Sequence, residues 1–296
     1  MRLLPALLTV PHATLEGLVS RDPIRAAQLG KQFGAKKIYP SYADMLADVE
    51  LDAVIIATPD KLHTDMCIAA AQAGKHVFVE KPMATNPEDA VRIHNAARTH
   101  NVKLAVGYHL RHHAGHRSLH EAIMQGAIGT PHHIKLTWSY RAPQDDWRSA
   151  DTLARWWAIA AVGTHALDLA TWFLGELETP EVNVIRHADN GMLEHSATIR
   201  LDWDTGKSAT IAVSNRTVLP RMIEIHGTQG HVTCIDTLGA YGKGSITING
   251  ASHHFLPVDP YHAELADFVD AIRCNREPLV NGTIGTHNVD LLHLIN

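Results

Sequence analysis

The chain has few of the features that mark secreted, membrane-bound or nucleic-acid-binding proteins. Three of its 296 residues are cysteine (Cys67, Cys234 and Cys274), odd in number and far apart. That excludes a disulfide framework and fits free thiols in a reducing compartment. No apolar run approaches the roughly 20 residues that a membrane span needs. The apolar start, residues 1–8, is short, is broken by Pro5 and is followed by no small-residue cleavage site, so it does not read as a signal peptide. Basic clusters are missing as well, and a formal net charge of −5 argues against nucleic acid as the main partner. A cytoplasmic protein with no membrane and no nucleic-acid partner is expected. Apolar residues make up 45% of the chain, enough for a full globular core, and the length suggests two domains.

Residues 15–107 alternate between strand-like and helix-like stretches. Residues 15–19 read as a short strand. Asp22 caps a following helix, Pro23 opens it and Gly34 stops it. A minor strand at 38–39, a helix at 42–47 behind Ser41 and an apolar strand at 53–57 come next. Residues 63–73 form a helix closed by Gly74, 77–79 a strand, 87–99 a helix behind Asn86, and 104–107 a strand. This order predicts one parallel sheet covered on both faces by helices, a doubly wound Rossmann-like domain. Beyond residue 108 helices are expected at 118–125, 155–174 and 261–275, with strands at 134–140 and several more between 182 and 248. That pattern is an α+β domain with a large, mostly antiparallel open sheet. The expected domains are therefore 1–108 and 109–296.

The N-terminal domain should open with strand, Gly-x-Gly-x-x-Gly and helix. It opens instead inside what would be the helix after that turn, so the first strand and the glycine loop are absent, and with them the backbone N–H cradle for a pyrophosphate. Two readings follow. The true start lies upstream and the chain is a shortened gene product, or the protein binds a cofactor weakly or not at all. In either case the strands on both sides of the absent one should be left with unpaired ladder groups.

The apolar run 77–79 leads into Glu80-Lys81-Pro82, and Pro82 cannot continue a ladder. Lys81 is thus held at the carboxyl end of a buried strand, where open α/β sheets place ligands, and a lysine of lowered pKa there can move a proton. Glu80 and Lys81 read equally as solvated strand-end charges. Ser20, Arg21 and Arg25 follow the first strand present. An NAD-binding domain usually carries an acid at that strand end, whereas a serine and two guanidiniums suit the 2′-phosphate of NADP, with NAD possible and a solvated helix start as the plain alternative. Histidine is abundant at 22 residues, but the group His109, His112, His113 and His116 has no accompanying cysteine or carboxylate and no H-E-x-x-H, so no metal is expected.

Ala57-Thr58-Pro59-Asp60-Lys61-Leu62-His63, followed by Gly74-Lys75-His76-Val77-Phe78-Val79-Glu80-Lys81-Pro82, resembles the glucose–fructose oxidoreductase, inositol dehydrogenase and MocA (Gfo/Idh/MocA) family. Residues 126–129, 163–168 and 224–230 extend the resemblance over nearly the whole chain. His109-Leu110-Arg111, His116-Arg117 and Trp147-Arg148 look most like its 1,5-anhydrofructose reductase branch. The resemblance implies a nicotinamide-dependent oxidoreductase acting on a sugar, cyclitol or related polyol. Lys81 would be the catalytic lysine, and His165 the proton donor or acceptor. Thr58, Pro59, His63, Glu80 and Lys81 would lie at the cofactor, with His63 a helix cap. His109, Arg111, Trp147, Arg148 and Asp168 would lie at the substrate, with Asp168 either orienting His165 or serving structure. Pairing into a homodimer or homotetramer through the C-terminal sheet is also implied. Besides the glycine loop, two places depart from the family pattern. Ala161 stands where an aspartate is usual, four residues before His165, and Arg155-Trp156-Trp157 is bulky where small residues are usual. These departures keep two other readings open, a cofactor-free sugar-binding or scaffolding descendant, and a non-redox lyase or isomerase using the same pair.

Overall fold

A computed structural model of the chain describes residues 2–143, 146, 148, 154–175, 181–189 and 192–295. The N-terminal half follows the expected alternation: α1 (Leu3–Leu7), β1 (Gly17–Leu18), α2 (Pro23–Phe33), β2 (Lys37–Ile38), α3 (Tyr42–Ala47), β3 (Ala53–Ile56), α4 (His63–Gln72), β4 (His76–Val79), α5 (Pro87–Thr99) and β5 (Leu104–Val106). The caps explain the boundaries. The Asp22 carboxylate accepts from the Ile24 and Arg25 amides ahead of Pro23, and Gly34 ends α2 at a φ of 73°. Asn86 does the same for α5 by accepting from the Asp89 amide.

The single sheet expected here is split in two. β1 pairs with β2, and β3, β4 and β5 form a separate parallel sheet in that order. Among the described residues β1 and β3 do not pair. Between them lies a cavity of about 590 Å³, walled by Gly17, Leu18 and Val19 on one side and Ala53, Val54 and Ile55 on the other. In a doubly wound sheet of order 3-2-1-4-5-6 this gap is the place of the central strand, so the expected unpaired ladder groups are there.

Strand alternation sets what covers the β3–β5 sheet. Val54, Ile56, Val77, Val79, Leu104 and Val106 belong to one core cluster with Ala70 of α4 and Ala90 and Ile93 of α5, while Phe78 and Ala105 face the other way and join Leu3 and Ala6 of α1. Two helices from the far end of the chain complete these layers. α8 (Pro260–Arg273) brings Leu265 and Phe268 against Phe78, with the two phenyl centroids 5.8 Å apart. α9 (Gly282–Leu294), which the sequence reading missed, adds Val289 to the first cluster. Residues after 109 are therefore not confined to a second core.

Among the described residues the C-terminal sheet has eight strands: β6 (Pro131–Ser139), β7 (Glu181–His187), β8 (Ser196–Asp202), β9 (Ser208–Ser214), β10 (Met222–Gly227), β11 (Gly230–Ile235), β12 (Ser245–Ile248) and β13 (Ala251–Ser252). Their spatial order is β13-β12-β11-β10-β6-β9-β8-β7, antiparallel except for β6 with β9. α6 (Ala114–Met124) begins four residues before the expected start because the His113 ring accepts from the Gly115 and His116 amides, a cap that histidine seldom provides. The continuous helix expected over 155–174 is also divided. A single π-helical turn, Ile159–Gly163, leads into α7 (Thr164–Leu174). α7 is buried almost all round, as its apolar composition requires.

Candidate active site

β4 delivers Glu80 and Lys81 to the mouth of a cavity of about 1090 Å³, which is large enough for a dinucleotide-sized ligand. Ser20, Arg21 and Arg25, at the end of β1 and the start of α2, line one part of it. Thr58 and Pro59, after β3, line the middle, and Lys81, His109, Arg148 and His165 line another part, so residues from both halves of the chain share one wall. The sequence reading did not single out Tyr261 of α8 or Trp138 of β6, which also face the cavity. Only tertiary contact reveals Tyr261: its ring stacks on His109 at 4.5 Å, and His109 in turn meets the His165 ring edge-on at 4.6 Å.

Lys81 is half-buried, and its Nζ donates to the carbonyl oxygens of Ala160 at 3.1 Å and Ala161 at 2.9 Å. Burial, and then the guanidinium of Arg148, lower its pKa to about 8, while Glu80, Asp60 and Glu264 pull the other way. Arg148 is held by Asp60 at 2.8 Å, and Asp60 is fully buried. His165 is buried, and its Nδ1 meets no hydrogen-bond partner among the described residues. Burial, then Lys81 and His109, hold its pKa well below the ordinary imidazole value. His109 is lowered in the same sense, by burial first and then by Lys81. Near neutrality the site therefore combines two uncharged imidazoles with an amine close to its own midpoint, an arrangement suited to passing a proton to or from an oxygen of a bound molecule.

Three other expected site residues serve the framework. His63 is the first residue of α4 and not its cap, which is Leu62; it lies outside the cavity wall, and its ring nitrogens, 2.9 Å from the Thr58 and Pro82 carbonyl oxygens, bridge the two loops that flank Lys81. Arg111 and Asp168, expected at the substrate, bind each other: Nε lies 2.9 Å from both carboxylate oxygens and Nη2 is 2.9 Å from Oδ1. Asn288 of α9 adds a bond of 2.7 Å, which closes a buried network away from the cavity. Asp168 is therefore not the group that orients His165. Trp147 lies outside the described residues. His116 is taken up by the Leu110 carbonyl and Thr237, and among the described residues no cluster of three or more His, Cys, Asp or Glu could hold a metal.

The cavity suits both ends of a nicotinamide dinucleotide. Ser20, Arg21 and Arg25 would hold the ribose end, and the wall near Lys81 and His165 the reacting end. The described residues supply no glycine-rich loop for the pyrophosphate between them.

A Rossmann-like half joined to an α+β half, with a lysine and a histidine meeting at a dinucleotide-sized cavity, is the architecture of a nicotinamide-dependent oxidoreductase. The sequence pattern of an oxidoreductase family with an NAD-binding Rossmann fold matches residues 1–108, and that of the GFO/IDH/MocA C-terminal domain matches residues 116–233. The chain belongs to the Gfo/Idh/MocA family of oxidoreductases. It is 29% identical over 277 residues to 1,5-anhydro-D-fructose reductase of Ensifer adhaerens, covering 90% of this chain and 83% of that protein. It is 27% identical over 283 residues to myo-inositol 2-dehydrogenase of Thermotoga maritima, covering 88% and 81%. The structure of aldose-aldose oxidoreductase from Caulobacter crescentus superposes with a TM-score of 0.91 at 24% identity, over 99% of this chain and 91% of that one. A 3-ketoreductase from Actinomadura kijaniata, in complex with NADP and TDP-benzene, gives 0.88 at 23% identity, over 99% and 92%. The similarity to the two solved structures concerns the fold.

Proposed function

We propose that this protein interconverts a carbonyl and a hydroxyl on a sugar, cyclitol or related polyol, prefers NADP, and uses Lys81 and His165 for proton transfer. The observation that carries the reading is that Lys81 and His165, from separate parts of the chain, line one cavity together with Arg21 and Arg25. When bound, the nicotinamide supplies or accepts hydride. The chain's own residues manage the proton. In the reducing direction the Lys81 ammonium donates to the oxygen that becomes a hydroxyl. In the oxidising direction the neutral amine accepts the hydroxyl proton. Neutral His165, on the same cavity, serves as a second acceptor or donor. Arg21 and Arg25 support NADP over NAD because two guanidiniums can grip a 2′-phosphate. The named relatives are a reductase and a dehydrogenase, and the cofactor-free and non-redox readings find no support in them.

The same reading divides the chain into a nucleotide-binding part, 1–108, and a substrate-binding part, 109–296, with α8 and α9 returning to the first. Self-association would use the C-terminal sheet, where Lys135 of β6 is exposed and its alternate neighbours His133 and Thr137 are half-buried. Three free cysteines support a reducing compartment such as the cytoplasm. Among the described residues no helix is long and apolar enough to cross a membrane.

Titrating the purified chain with NADPH and NADH, followed by turnover on a panel of aldoses, cyclitols and their keto forms, tests the proposal. Lys81→Ala should lower kcat by about 10²- to 10⁴-fold with cofactor affinity kept. No binding of either cofactor at millimolar concentration, or full turnover in Lys81→Ala, refutes it for this chain.

A further inference from the structure

Among the described residues, the π-helical turn Ile159–Gly163 is the one segment that touches the Lys81 amine with more than one hydrogen bond, and these bonds come from main-chain carbonyls. In this wider turn the Thr164 amide reaches back five residues to the Ile159 carbonyl. Turns of this kind recur at functional sites. The turn is also pinned from outside. The Glu194 Oε1 accepts from the Trp157 amide at 2.8 Å and from the Ile159 amide at 2.9 Å, and the Glu194 carbonyl accepts from the Ala158 amide at 3.1 Å. Glu194 thus fixes the entry of the turn, immediately before the Ala160 and Ala161 carbonyls.

A lysine amine carries three N–H groups when charged and two N–H groups plus a lone pair when neutral. Two carbonyl acceptors satisfy two N–H groups in both states, and a carbonyl cannot take a proton from the amine. The remaining position is then a third N–H or a lone pair, and Lys81 lines the cavity. Ala161 lines the same cavity, one helical turn before His165. This turn carries no acid that could face the amine, and among the described residues the Nδ1 of His165 has no hydrogen-bond partner.

We propose that the turn at 159–163 is a positioning device for Lys81: the Ala160 and Ala161 carbonyls take two N–H groups of the amine, its third N–H or its lone pair is turned to the cavity, and alanine rather than an acid at position 161 leaves the amine free to gain and lose a proton during turnover. Proton transfer then breaks one N–H bond of Lys81 as an O–H bond forms on the ligand oxygen, and the reverse reaction restores it. The two retained N–H···O bonds hold the nitrogen in place through both. Other charged groups around the amine set its baseline. Arg148 disfavours the ammonium, Glu80, Asp60 and Glu264 favour it, and His109 and His165 are kept uncharged by burial. Position 161 acts on top of these as a tuning position. Its role in turnover rests on Lys81 being the proton-transfer group proposed above.

The test reads the amine directly, without cofactor or substrate. Trace acetylation with acetic anhydride across a pH series, followed by mass spectrometry of the peptide carrying Lys81, gives the midpoint at which the amine becomes reactive. The wild type is compared with Ala161→Asp and with Ala161→Asn, which has the same shape and no charge. The Asp variant should move the midpoint up by about one pH unit or more, so that labelling near the wild-type midpoint falls several-fold, while Asn leaves it nearly unchanged. Equal shifts in the two variants, or no shift in either, overturn the proposal. The wild type alone also tests it if Ala161→Asp does not fold: a Lys81 midpoint equal to that of the surface lysines overturns it. Turnover of Lys81→Ala separates the two readings. Normal turnover with a charge-specific midpoint shift removes the proton-transfer role and leaves the positioning device. Lost turnover without such a shift does the reverse.

Discussion

Removing the Asp168 carboxylate should unfold this protein more readily without touching its chemistry. Asp168 is 1% exposed at its side chain and faces the Arg111 guanidinium, itself 10% exposed. Three contacts of 2.9 Å join the pair, and Asn288 adds a fourth at 2.7 Å. Asp168→Ala leaves a cation buried without its counter-charge, which costs about 3–5 kcal/mol. For a chain of this size that is a fall in Tm of about 6–10 °C. Asp168→Asn keeps the shape and the Asn288 neighbour, and loses roughly 1.5–3 kcal/mol, as expected for a hydrogen bond to a charged group. The double variant Arg111→Met/Asp168→Leu should be more stable than Asp168→Ala, because it buries no unpaired charge. Urea unfolding followed by tryptophan fluorescence measures all three, with kcat and KM taken on the same preparations. If Asp168→Asn lowers kcat or raises KM several-fold while its unfolding midpoint stays at the wild-type value, the carboxylate acts on the substrate and the assignment to the framework is wrong.

Two further outcomes follow from the charges at the site. Replacing Arg21 and Arg25 together by alanine should weaken NADPH binding about tenfold or more while leaving NADH nearly unchanged; equal losses for the two cofactors in a fluorescence titration would remove the 2′-phosphate assignment. Glu264 of α8 is buried, neither carboxylate oxygen has a hydrogen-bond partner among the described residues, and burial, then Glu80, raise its pKa well above the ordinary 4.5. Below that ordinary value the acid is protonated both folded and unfolded and costs nothing. Above it the unfolded chain ionises while the folded chain resists, so stability falls by about 1.4 kcal/mol per pH unit until the folded value is reached. Glu264→Gln removes that dependence, so its Tm advantage over the wild type should grow from pH 5 to pH 8 in a thermal melt. A difference that stays constant across this range would show that the buried acid does not resist ionisation.

Local chemistry made much of the fold and part of the site readable in advance. Pro23 behind Asp22, Pro87 behind Asn86 and Gly34 after α2 define helix ends by constraints within a few residues, and the structure keeps them. The Glu80-Lys81-Pro82 step ends β4, because proline cannot extend a ladder, and so Lys81 stands at the strand's carboxyl end. The unpaired edges of β1 and β3 were foreseeable too, since the central strand's place in a doubly wound sheet is known from the order of the others.

What the chain does not encode locally is which distant groups meet. The histidine cap on α6 and the π-helical turn before α7 depend on packing that outweighs propensity. The turn is held by Glu194, 31 positions beyond its last residue, Gly163. The resemblance puts Arg111 and Asp168 at the substrate, and the i+3 spacing puts Asp168 on the His165 side of α7, yet the two bind each other and Asn288 of α9, a partner 120 positions away that no local pattern announces. Tyr261 reaches the cavity from a helix more than 150 residues after His109 because α8 packs back on the β3–β5 sheet. Sequence alone therefore determined the family, the α/β alternation and the position of Lys81, which rest on contiguous motifs and short-range caps. The tertiary structure decided the amine's partners, the charge state its surroundings impose and which neighbouring acids stay out of its reach, because those depend on burial and on distances between segments far apart in the chain.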